Sequence, residues 1–137
     1  MQYIKRGQIS VEYLIMVGFV IFLVMGILAA GLISTSQLKN RIIINQVNNA
    51  MNKIIQSAES VFYAGEPSRV KISIYLPSGV KSLSIQNKTI IVQIQTDSGV
   101  NIVSYSSAVT LEGSIPVSEG IKKIKLQATP TKVLITS

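Results

Sequence analysis

Six carboxylates, Glu12, Glu59, Glu66, Asp97, Glu112 and Glu119, are the first candidates for acid–base or metal chemistry, because the 137 residues contain no His and no Cys. From Glu59 onward they show no metal-ligand spacing and no paired motif, and Asp97-Ser98-Gly99 reads as turn chemistry. The many Ser and Thr hydroxyls have no imidazole to activate them, and neither a phosphate-cradling Gly-rich loop nor a nucleophile elbow is present. The sequence therefore assigns no catalytic residue, no cofactor and no metal site, and the expectation is a protein that is not an enzyme. Glu12 is different. It stands at the head of residues 13–38, which include no charge at all, and an ionised carboxylate entering lipid or apolar protein is costly unless it is paired.

The elements that position Glu12 follow from that apolar run. A helix of 26 residues over 13–38 rises roughly 39 Å, enough to cross a hydrocarbon layer of about 30 Å. It is too long for an ordinary secretory signal, whose apolar region covers about 7 to 15 residues. Gly18, Gly26, Ala30 and Ser34 recur in it at four- or eight-residue spacing, which lets neighbouring helices approach closely. The formal charge of +7 permits attraction to anionic partners. Apart from Lys122, Lys123 and Lys125, however, the bases are dispersed, and no aromatic residues interleave with a basic stripe, so nucleic acid is not expected as the main partner.

Ahead of the run, Lys5-Arg6-Gly7 meets Gln8-Ile9-Ser10-Val11-Glu12-Tyr13-Leu14. Over about its first 30 residues the chain resembles archaeal type IV pilin precursors with a class III signal peptide, which carry a basic residue and Gly followed by Gln-x-Ser-x-Glu-Tyr-Leu. The resemblance implies that a prepilin peptidase cuts between Gly7 and Gln8, recognising Arg6, Gly7 and Gln8, and that the apolar helix stays in the mature protein. It implies a role for Glu12 in filament assembly. A physical account agrees with it: cleavage frees the α-amino group of Gln8, which would pair with Glu12 of a neighbouring subunit and fix one axial register. The implied partners are identical or homologous pilin subunits, the prepilin peptidase, a pilus assembly ATPase and a membrane platform protein. The implied location is a cell-surface filament used for adhesion, reached from a precursor in the cytoplasmic membrane with residues 1–7 inside and the head outside. Asn87-Lys88-Thr89 is an N-glycosylation sequon, which agrees with export.

Rival readings are a minor pilin or membrane-retained pilin-like binding protein and, less close to the motif, an archaeal flagellum subunit. A conventionally secreted soluble domain, cut near Ala30, is a further outsider.

Beyond the apolar run, Ile44, Val47, Met51, Ile54, Ala58 and Val61 recur at threes and fours, an amphipathic continuation of the helix, with Asn45, Asn48, Asn52, Gln56 and Glu59 on other faces. Ala64-Gly65-Glu66-Pro67 supplies the stop. From Arg69 the period becomes two, and turn residues punctuate expected strands over 69–76, 80–85, 90–95, 100–105, 108–112, 123–128 and 132–136. The predicted class is α+β: a long N-terminal helix, first hydrophobic and then amphipathic, followed by a small antiparallel β-sandwich or β-sheet head. An immunoglobulin-like sandwich is preferred over a smaller sheet wrapped on the helix. The expected organisation is a leader (1–7), a transmembrane and filament-core helix (8–38), its amphipathic continuation (39–66) and an extracellular β-rich head (67–137). A head of about 70 residues without disulfides is marginal by itself, so the apolar stripe over 44–61 is expected to cover it.

Overall fold

The computed structural model describes the backbone of residues 4–137 and the side chains of residues 10–137. The fold is α+β: one long helix, α1 (Ile4–Ala64), followed by seven strands. The chain divides into two compact units between Leu38 and Lys39. In the first unit α1 passes through Gly18, Gly26 and Gly31 without a break. That continuity follows from the Leu, Met, Ala and aliphatic residues around each glycine, whose helical preference outweighs a local cost of about 1 kcal/mol per Gly.

The second unit begins with the rest of α1, whose Val47, Met51, Ile54 and Ala58 are completely buried, with Ala50, Ile55 and Val61 nearly so. Ile44, expected in the stripe, is only half-buried, and Ala50 and Ile55 widen the apolar face instead. The helix ends as its residues demand. Gly65 takes φ +83° and its N–H donates to the Phe62 carbonyl at 3.1 Å, a left-handed stop open to glycine without strain.

The strands are β1 (Arg69–Leu76), β2 (Val80–Gln86), β3 (Thr89–Thr96), β4 (Gly99–Ser106), β5 (Leu111–Gly113), β6 (Gly120–Ala128) and β7 (Val133–Thr136). Residues 87–88 and 97–98 are the whole connections between β2, β3 and β4, so these strands close as hairpins into one three-stranded sheet, β2-β3-β4. The other sheet has the order β1-β6-β7-β5, in which β5 and β7 run parallel. This order and that parallel pair depart from the immunoglobulin-like sandwich. The physical reason lies in the core, where residues of α1, Ile90, Val92 and Ile94 of β3, and Ile124 and Leu126 of β6 form one cluster. The helix supplies apolar surface that a two-sheet sandwich would draw from its strands alone.

Strand β5 is shorter than the expected 108–112. The N–H of Ala108 donates to Glu59 Oε1 at 2.8 Å, and that of Val109 donates to Ser107 Oγ at 3.2 Å, so neither is free for a ladder. Gly113 explains how β5 comes so close to β7: a Cβ there would lie 2.0 Å from the Ile135 carbonyl oxygen.

Four polar contacts fasten this part of α1 to the strands and loops, one of them the Ser107 hydroxyl donating to Glu59 Oε1 at 3.4 Å. Tyr105 donates its hydroxyl to Asn48 Oδ1, Lys53 Nζ donates to the Ser73 carbonyl at 2.8 Å, and Glu59 accepts from Ala108. Sequence periodicity places Asn48 and Glu59 away from the apolar stripe, whereas the structure half-buries both. Burial raises the Tyr105 pKa above its ordinary value of about 10. The sign follows from linkage: a phenol with a raised folded pKa contributes stability that is complete below the unfolded value and lost as pH rises through the folded one. Chemical denaturation across the alkaline range should therefore show stability falling above pH of about 10, with Tyr105→Phe flattening that limb. An identical limb in the variant would remove Tyr105 as its source.

Candidate membrane and assembly segment

The candidate segment is built from α1 between Ser10 and Leu38. Val11, Leu14, Phe19, Phe22, Ile27 and Leu32 are each more than half exposed, although they are among the most water-averse side chains in the chain. Its most apolar 18-residue stretch has a mean hydropathy of 2.7 and none of it is buried within the chain. Among the described residues this is the one helix long and apolar enough to cross a membrane. Exposing a Leu or Phe instead of burying it forgoes about 1.5–3 kcal/mol, so a run of this length is stable only in lipid or against other protein.

Glu12 lies on the exposed surface of the helix near its start. The one ion pair among the described residues joins Lys132 to Glu112, so Glu12 has no cationic partner there. Gly18, Gly26, Ala30 and Ser34 are exposed on the same segment. Among the described residues, nothing apart from the adjacent helix backbone lies within 4 Å of a Cβ built at Gly18 or Gly26, so no tertiary contact there requires these positions to be small. The Ser34 and Thr35 hydroxyls donate to the Ala30 and Gly31 carbonyls at 3.1 and 3.0 Å, which satisfies them without water. Of the predicted cleavage residues, Arg6, Gly7 and Gln8 have helical backbone, while their side chains lie outside the described residues.

Asn87 sits elsewhere, in the turn between β2 and β3, exposed and at φ +52°, a conformation Asn tolerates better than most residues. Its carbonyl accepts from the Leu111 N–H at 2.6 Å, tying the turn to β5 and leaving the sequon at the surface. Among the described residues no group of three carboxylates is placed to hold a metal ion. The contacts that sequence reading missed are those of Asn48, Lys53 and Glu59, for which periodicity gives no signal.

No family model, curated protein or solved structure matches the chain. Sequence and fold together define a class, an α+β protein whose N-terminal helix is long and apolar enough to cross a membrane.

Proposed function

We propose that the chain is the structural subunit of a type IV pilus-like surface filament, adhesive and not catalytic. The observation that carries the reading is the unburied apolar segment of α1 beginning directly after Glu12, within Gln8-x-Ser10-x-Glu12-Tyr13-Leu14. Such a segment suits two environments in turn. Lipid covers it in the precursor, and the equivalent helices of neighbouring subunits cover it in the filament. Glu12 gives the second environment a register, since its carboxylate pairs with the amine that cleavage after Gly7 creates. The small residues at Gly18, Gly26, Ala30 and Ser34 allow close helix approach. Lys39–Ser137 forms a compact unit with its own core, which suits a head exposed on the filament surface. On this reading a prepilin peptidase processes the chain, and an assembly ATPase with a membrane platform protein drives polymerisation.

The test is the N-terminal mass of protein sheared from the cell surface. The expected first residue is Gln8, with Gly7→Trp accumulating as full-length precursor in the membrane. A mature terminus near Gly31 would instead identify a conventionally secreted domain and end the filament reading.

A further inference from the structure

We propose that the outward face of the β1–β6 pair binds a linear acidic polysaccharide, carboxylated or sulfated. Alternation in β1 turns Ile74 and Leu76 into the core and leaves Arg69, Lys71, Ser73 and Tyr75 exposed. Strand β6 buries Ile124, Leu126 and Ala128 and turns Ile121, Lys123, Lys125 and Gln127 outward. The register then decides which residues meet: Lys71 lies opposite Lys125, Ser73 opposite Lys123, Arg69 opposite Gln127 and Tyr75 opposite Ile121. Arg69, Lys71, Lys123 and Lys125 thus share one face, with cross-strand neighbours about 5 Å apart and same-strand neighbours about 7 Å apart.

Neither strand carries an acid. Glu112 of β5 is in the ion pair with Lys132, Glu119 beside β6 accepts from the Tyr75 hydroxyl at 3.5 Å, and exposed Glu66 stands three residues before Arg69. The second sheet is the internal contrast, since Lys81 is the one charged residue of β2, and β3 and β4 contain none. Like charges directly opposite across a ladder destabilise it, so folding stability does not account for placing Lys71 against Lys125. A polyanion lying across the pair would relieve that repulsion.

The surface also discriminates among polyanions. It is one face of a four-stranded sheet, and its Ser73 and Gln127 offer neutral hydrogen-bonding groups between the cations, suited to sugar hydroxyls. The Arg69 guanidinium matches a carboxylate or sulfate in bidentate fashion. Tyr75, 42% exposed at the end of the row, presents a ring against which a sugar can lie. Nucleic acid fits less well, because no aromatic residues alternate with the cations to stack bases and no free two-stranded ribbon or helix is offered to a groove.

The experiment uses the full chain in a zwitterionic detergent, with heparin and polygalacturonate as acidic probes, dextran as the neutral one and duplex DNA as the rival polyanion. Saturable, salt-sensitive binding to the acidic polysaccharides and none to dextran is expected. Lys71→Gln with Lys125→Gln should weaken binding by about tenfold or more without lowering the thermal midpoint, whereas Lys81→Gln with Lys88→Gln, an equal loss of charge on β2 and the turn after it, should leave it nearly unchanged. If the first pair lowers the midpoint, Arg69→Gln with Lys123→Gln makes the same comparison. Equal weakening by the two double variants, or no binding to either acidic polysaccharide, would overturn the proposal. Tighter binding of duplex DNA than of either polysaccharide at the same salt would overturn it in favour of a nucleic-acid surface. The proposal stands apart from the filament reading, whose own test is the mature N-terminus.

Discussion

A fragment beginning at Pro67 is expected not to fold, whereas one beginning at Lys39 should be soluble and unfold cooperatively. The difference is the stretch of α1 that carries Val47, Met51, Ile54 and Ile55, all within the single core cluster. Burying four such side chains contributes about 6–12 kcal/mol, as much as the whole net stability of an ordinary domain at about 5–15 kcal/mol. The shorter fragment also loses the partners of Tyr105, of the Ser73 carbonyl and of the Ala108 N–H. Without α1, the inward faces of β1, β3 and β6 become exposed apolar surface, so aggregation is the expected fate. Circular dichroism and denaturant unfolding of the two fragments decide the matter. A cooperative transition in the Pro67 fragment would show that the strands hold their own core.

On the proposed filament reading, Glu12→Ala should be processed normally and yet fail to enter filaments. Removing one partner of a buried ion pair costs about 3–5 kcal/mol, because the other charge remains desolvated and uncompensated. At a contact repeated for every subunit, that is a loss of about 100-fold or more in association. Glu12→Gln keeps the shape and hydrogen-bonding capacity while removing the charge, and should lose nearly as much. The measurement is the ratio of sheared filament protein to mature protein in the membrane. A normal ratio for Glu12→Ala would refute the register role, while a precursor band would place Glu12 in peptidase recognition instead.

The two expectations concern different units, and they draw on the sequence differently. Residues 13–38 are legible because an unbroken absence of charge needs no tertiary partner to be recognised. The end of α1 at Ala64 is legible for a similar reason, since Gly65 and Pro67 act on the backbone at their own positions. Strand β1 is found with the bounds its alternation predicts, whereas 108–110 is not strand because Glu59, far away in sequence, takes the Ala108 N–H that a ladder would use.

Local periodicity thus determined by itself the apolar helix, its amphipathic continuation, its stop and the places where the chain turns into strands. Each of these depends on backbone geometry repeating within a few residues. The tertiary structure alone decided that β5 runs parallel to β7, that Asn48, Lys53 and Glu59 fasten α1 to its own head, and that Lys71 faces Lys125. In the sequence Lys71 stands far from the Lys122, Lys123 and Lys125 group. Strand pairing joins residues more than fifty positions apart, and a slip of one residue in register would turn every side chain to the opposite face. A cationic surface is therefore a property of the ladder, while the membrane-capable helix is a property of the chain.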